Sequence, residues 1–468
     1  MPAANESLAL LRARVAAVGA PLYLGAGTAG AAFAPSQQAV LVLGPPRSGK
    51  TSTLVVPNVL AAPGPVVSTS TKADVLQATW EARAEIGRCW LFDPSATTPP
   101  PPGVTSLRWS PVPACRDWEA ALLTARAMSG AAARPAGWQS EGNHWTERAE
   151  ALLAPLLHAA AISGAGIEHV VGWVNRHDLD VALATLLGGG SQLAADILTG
   201  LADTDRRELS GIWSTASGIL AAYRSEVALR GTRDPNFDPA QLPATTDTIY
   251  VCASARHQTL TAPLVVGLLE QIRAAAYAAS ARATATSASP SASARNGPPI
   301  TLALDEAANI APLPDLPSIV AEGGSQGLVT LACFQDLSQA RVRWGEAAEG
   351  FLSLFGVKVV LPGIGDLRTL ELVSRLGGEN DVPVRSVSRR SWLVGRQGAT
   401  VTSSSRRQRR LPVDAVAQLP PGTAILIDGA KAPTWLRLTP WYTTPPFAGV
   451  ERAAMRRPRP PLERGLDR

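Results

Sequence analysis

The chain has 468 residues, 46% of them apolar and 17% charged, a balance that suits a globular protein with a large core and excludes a disordered one. Its formal net charge of +5 is compatible with a polyanionic partner without requiring one. The four scattered cysteines, Cys89, Cys115, Cys252 and Cys333, form no C-x-x-C pair and no zinc spacing, which points to a reduced, cytoplasmic setting.

Residues 6–18 place apolar side chains at helical spacing and predict a short N-terminal helix. The stretch from Val15 to Phe33 is rich in Ala and Gly and contains Pro21, so no membrane-spanning helix is expected there. The apolar run after Gln38 (AVLVLG) reads as a buried strand ending in Gly44. Further strands are expected at 64–71 and 88–94, with a helix between them. That order argues for a parallel α/β sheet. From about 115 to 232 every segment is helical in period. In WTERAEALLAPLLHAAA, residues Trp145, Ala149, Leu152, Leu153, Leu156, Leu157 and Ala160 share one face. Strands are expected again at 247–254, 300–306, 328–335, 357–363 and 423–429. The low-complexity stretch 281–298 reads as a disordered surface loop. The division expected is an N-terminal helix at 1–21, an α/β domain in two parts at 22–114 and 236–445, an all-α domain inserted at 115–235, and a disordered basic tail at 446–468.

The residues Gly44-Pro45-Pro46-Arg47-Ser48-Gly49-Lys50-Thr51 fit the pattern G-x-x-x-x-G-K-[ST], followed by Ser52. Glycines at both ends let the backbone curl and turn its N–H groups inward as an anion cradle. The following helix offers its positive end to phosphates. Lys50 is then placed for the β- and γ-phosphates of ATP, and the Thr51 hydroxyl for Mg²⁺. A preceding apolar strand and a following helix are the context this motif needs, and both are present. The second half of such a site is an acidic strand end. The strand before Asp305 and Glu306 supplies one, with Asp305 expected to hold the Mg²⁺ shell and Glu306 to orient or deprotonate the attacking water. Taken alone, an acidic pair after a strand is an ordinary helix cap. Gln335, at the tip of another apolar strand, is placed to sense the γ-phosphate.

With these motifs in order, the chain resembles the type IV secretion coupling ATPases, the TraG/TraD group within the FtsK/HerA assembly of translocases. The resemblance is carried by VLVLGPPRSGKT with STSTKADVL, by HWTERAEALLAPLLHAAA, by LALDEAANIAPLPDLPSIVAEGGSQGL, by LACFQDLSQARVRWG and by LPVDAVAQLPPGTAILIDGAKAP. It spans roughly residues 22–440. It implies a RecA-like P-loop ATPase with a parallel-rich central sheet and an inserted all-helical domain. It also implies a homo-oligomer, a six-membered ring with ATP sites between subunits. The implied partners are DNA, a relaxase or other secreted cargo, and type IV secretion components. Many relatives carry N-terminal membrane helices. None is visible in this chain, so membrane contact is expected only through partners, at the inner face of the cell membrane. Relatives often place an Arg near the segment Glu322, Gly323, Gly324, Ser325, Gln326, where this chain has none. Arg341, Arg343 and Arg256 are the nearest replacements.

A run of arginines, Arg385, Arg389, Arg390, Arg396, Arg406, Arg407, Arg409 and Arg410, surrounds Trp392 in a stretch without Asp or Glu. Arginine neutralises phosphates and Trp stacks on bases, so this stretch is a candidate DNA contact or a solvated loop. His144, His158, His169, His177 and His257 show no ligand spacing and are expected to be structural. Two other functions stay open: an FtsK/HerA-type translocase for DNA partition, and a nucleotide-ordered cargo receptor with little hydrolysis.

Overall fold

The computed structural model describes residues 7–132, 141–286, 297–389 and 399–450. In chain order the first strands are β1 (Tyr23–Gly27), β2 (Gly30–Phe33), β3 (Val40–Leu43), β4 (Val66–Ser70), β5 (Cys89–Phe92), β6 (Val104–Ser106) and β7 (Thr248–Cys252). They are followed by β8 (Ile300–Leu304), β9 (Leu328–Phe334), β10 (Val357–Val360), β11 (Glu379–Arg389), β12 (Ala399–Arg409), β13 (Thr423–Asp428) and β14 (Thr434–Arg437). All but β11 and β12 join one sheet in the order β2-β1-β14-β13-β10-β3-β9-β8-β4-β7-β5-β6. From β10 to β6 every neighbouring pair is parallel. Beyond β10 the pairs β10–β13, β13–β14, β14–β1 and β1–β2 are antiparallel.

The apolar run in β3 is explained by its place in the middle of this sheet. Alternate side chains point to opposite faces, and both faces are covered. Leu41 and Leu43 enter the core beneath the helical stretch. Val40 and Val42 enter a second core beneath the N-terminal helix Leu8–Ala17 and the helix after the P-loop. The N-terminal helix is tied down through Arg12, whose guanidinium donates to the carbonyls of Leu60 and Ala82.

Between β6 and β7 the described residues are helical, with no strand. Helix Glu141–Ser163 runs through the middle of this stretch. Its Ala149, Leu152, Leu153, Leu156, Leu157 and Ala160 are buried, as their spacing predicts. His158 is structural: Ser191 N–H donates to its Nε2 at 3.2 Å, and its Nδ1 lies 2.8 Å from the Cys115 carbonyl.

Two expectations change, and one pair of strands was not anticipated. Helix Gln258–Thr286 extends into the low-complexity stretch and buries Ala283, because Ala and Arg favour a helix whatever their monotony. The part of that stretch at 287–296 lies outside the described residues. The expected tail at 446–468 begins too early, since Phe447 is buried edge-on against Tyr23 at 5.5 Å. The rest of it, 451–468, is outside the described residues. Finally, the Ala/Gly-rich stretch before β3 contains the β1–β2 hairpin. Its small residues give little periodicity, and its pairing with β14 is a long-range contact.

Candidate functional site

β3 delivers the P-loop at the carboxyl end of the parallel strands. The entry is fixed on both sides: Gly44 N–H donates to Phe334 O at 3.1 Å, and Leu361 N–H donates to Leu43 O at 2.8 Å. A Cβ on Gly44 would lie 2.8 Å from both Leu361 Cβ and Ser48 Oγ, so the position admits only glycine. Arg47 and Gly49 both have left-handed backbones, φ +64° and +97°. Such residues within a tight turn orient consecutive N–H groups into one concavity. The chain then enters helix Thr51–Ala61, whose first five residues form a wide π-turn closed by Val56 N–H donating to Thr51 O. Lys50 is only 6% exposed, and its ammonium donates to the carbonyls of Gly44 at 2.5 Å and Pro45 at 3.0 Å.

β8 lies two strands away, separated from β3 by β9. It brings Asp305 to the loop: Thr51 Oγ1 donates to Asp305 Oδ2 at 2.6 Å across 254 residues of sequence. Thr69 at the end of β4 donates to the Asp305 carbonyl at 2.9 Å. Burial pushes the Asp305 carboxyl up to about 6. The Thr51 hydroxyl opposes that shift, the Glu306 charge adds to it, and Lys50 opposes it. Glu306 adopts a left-handed backbone, φ +53° and ψ +47°, an uncommon choice for a non-glycine residue. Gln335 follows β9, the strand between the P-loop strand and the acidic strand, and is half-buried there. The residues predicted as one site therefore share one sheet edge.

The arginine candidates separate. Arg341 pairs with Asp366 at 2.8 Å, and Arg343 donates to the Ala308 carbonyl at 3.1 Å. Arg256 is exposed at the turn after β7. The segment lacking an Arg has a steric reason at its glycines. A Cβ on Gly323 would sit 2.3 Å from Ile319 O, and one on Gly324 2.0 Å from Gln37 O.

Two features escaped the sequence reading. Asp74, which opens helix Asp74–Ala84 after β4, bears electrostatically on Asp305. Asn309 donates to Glu306 Oε2 at 3.2 Å. Both stood inside recognised motifs, but neither has a distinctive spacing. The arginine run is also altered by its fold. β11 and β12 form a separate ribbon whose register sets Glu379 opposite Arg409 and Asp381 opposite Arg407. Glu379 pairs with Arg407 at 2.8 Å. The run without acids in sequence thus meets acids across the ribbon, leaving Arg385, Arg406 and Arg410 exposed. Arg390, Trp392 and Arg396 lie outside the described residues.

The site's donors suit a triphosphate with a divalent cation. The Ser48 hydroxyl is buried without a hydrogen-bond partner among the described residues, beside the left-handed turn. A hydroxyl and a carboxylate meet where such a cation would sit. Parallel strand, left-handed turn, buried lysine and an acidic strand end two strands away define a P-loop protein of RecA-like fold. The chain belongs to the type IV secretory system conjugative DNA transfer family, whose model matches residues 9–456. Its fold is similar to the unbound bacterial conjugative coupling protein TrwBΔN70, at 18% identity and a TM-score of 0.66, covering 93% of this chain and 92% of that one. It is similar also to plasmid coupling protein TrwB in complex with the ATP analogue ADPNP, at 18% identity, TM-score 0.63 and 86% of each chain. TrwB with ADP and Mg²⁺ matches at 18% identity and TM-score 0.62, covering 86% of this chain and 85% of that one. No curated protein matches the chain by sequence. Among the described residues no helix is long and apolar enough to cross a membrane.

Proposed function

We propose that this protein binds and hydrolyses ATP with Mg²⁺ and uses the cycle to drive conjugative DNA, with its relaxase or other cargo, into a type IV secretion channel. The observation that carries the reading is the hydrogen bond between Thr51 and Asp305, which joins the phosphate loop to the acidic strand. In this reading the loop Gly44 to Ser52 wraps the phosphates, and the backbone N–H groups that face them come from the residues after Pro46, since Pro45 and Pro46 have none and that of Gly44 donates to Phe334 O. Lys50 leaves its loop carbonyls to face the β- and γ-phosphates. Thr51 and Asp305 hold Mg²⁺, whose charge offsets that developing on the phosphoryl oxygens. Glu306 orients water and takes its proton, and Gln335 senses the γ-phosphate. The bound nucleotides of TrwB and the family's role in conjugative DNA transfer support the same assignment. We further propose a homo-hexamer, with Arg385, Arg406 and Arg410 as DNA contacts and the 115–235 helical unit as a separate domain.

The test is ATP hydrolysis with and without single- and double-stranded DNA, for wild type, Lys50→Ala and Glu306→Gln. Removing either group is expected to lower kcat/KM by about 10²-fold or more. A rate untouched by both substitutions overturns the motor reading.

A further inference from the structure

Glu306 stands at a strained point of the backbone. Its left-handed conformation ends β8 and opens the short helix Ala307–Ile310, with no side chain capping that helix. Such outliers persist only where their surroundings hold them. Three contacts hold this one. Asn309 N–H donates to the Glu306 carbonyl at 2.9 Å, and Ile310 N–H donates to the same oxygen at 3.1 Å. The Asn309 amide then reaches back to the Glu306 side chain, Nδ2 donating to Oε2 at 3.2 Å. A carboxylate only accepts, so the amide nitrogen must be the atom that faces it. Asn309 thus grips both the main chain and the carboxylate of one residue.

The turn is also held from the neighbouring strand. Helix Leu337–Trp344 follows Gln335. Its Arg343 donates to the Ala308 carbonyl at 3.1 Å, and the Trp344 indole N–H donates to the Leu313 carbonyl at 2.8 Å. Trp344 packs on Phe334, the last residue of β9, with ring centroids 5.9 Å apart. The helix that follows Gln335 therefore contacts the chain after Glu306 at two points, Ala308 and Leu313.

We propose that Asn309 is a positioning residue for Glu306. It fixes one carboxylate oxygen and leaves the other to address water. The inference rests on the reading of Glu306 as the base. Holding a base in reach of the proton it takes is worth much of its contribution to rate, so the role belongs to kcat. An Asn that served only the fold would lower the melting temperature and nucleotide affinity together with kcat, whereas a positioning residue lowers kcat alone.

The experiment is steady-state ATP hydrolysis and nucleotide affinity for wild type, Asn309→Ala, Asn309→Asp, Glu306→Gln and the Glu306→Gln/Asn309→Asp pair, with thermal melting as a control. The expected result for Asn309→Ala is a kcat about 10-fold lower, with KM and nucleotide affinity within about 2-fold of wild type. Asn309→Asp, which replaces a donor with a like charge, falls at least as far. In the Glu306→Gln background the second substitution adds nothing, because the group it positions is gone. Asn309→Asp turning over at the wild-type rate overturns the positioning role and leaves the base assignment standing. So does a loss of kcat, affinity and melting temperature together. Glu306→Gln at the full rate removes the base assignment and this inference with it.

Discussion

The two halves of the large sheet differ in what they carry. From β10 to β6 the strands are parallel, so all their carboxyl ends meet one edge, and Gly44 to Thr51, Gln335, Asp305 and Asp74 all follow strands that end there. Beyond β10 the strands alternate in direction and no such set gathers. The central strands are also covered on both faces, whereas Trp435 on β14 is 53% exposed. A site needs convergent groups on a rigid base, and only the parallel half supplies both.

Substitutions can break this contrast. The largest expected effect lies at the edge itself. Gly44→Val forces a side chain into Leu361 and Ser48, and nucleotide affinity measured by calorimetry should fall by about 10²-fold or more, as in Lys50→Ala. Next comes the support. Leu43→Ala beneath the P-loop should destabilise by about 2–5 kcal/mol in urea unfolding, against less than about 0.5 kcal/mol for Trp435→Ala on the other half. Equal effects would erase the distinction.

Asp305 sharpens the comparison through pH. Burial holds its proton up to about 6, while the unfolded chain releases it near the ordinary 3.8. Through that window the unfolded state binds fewer protons, so stability falls as pH rises, and the penalty is complete above it. Asp305→Asn, melted without nucleotide, should therefore be more stable than wild type at pH 8 and no more stable at pH 3. A variant less stable at both values would contradict the burial argument. The smallest effects belong to the ribbon. Each of Arg385→Ala, Arg406→Ala and Arg410→Ala should lower the salt slope of DNA binding by about 1, leaving ATP affinity unchanged.

Most of the parallel half was legible, because β3, β8 and β9 are apolar runs ending in chemistry-bearing residues that nearest-neighbour patterning exposes. The flank was less so. β1 and β2 are built from Gly and Ala, and β14 is a four-residue strand, so their pairing is decided by distant partners. The ribbon's ion pair was hidden for the same reason: Glu379 and Arg407 are 28 positions apart, and only the register joins them. At the site the sequence pointed to Lys50, Thr51, Asp305, Glu306 and Gln335. It could not reveal that Asn309 holds Glu306, since that contact depends on a left-handed turn.

The central claim is that the loop at 44–51 and the carboxylate at 305 form one cation-dependent site. It is tested most directly by measuring how much Mg²⁺ strengthens ATP binding in wild type, Thr51→Ala, Asp305→Asn and the double variant. The account predicts that each single substitution removes most of the Mg²⁺ effect and that the double removes no more. Independent losses that multiply, or an Asp305→Asn protein whose ATP affinity still rises with Mg²⁺ as in wild type, would contradict it.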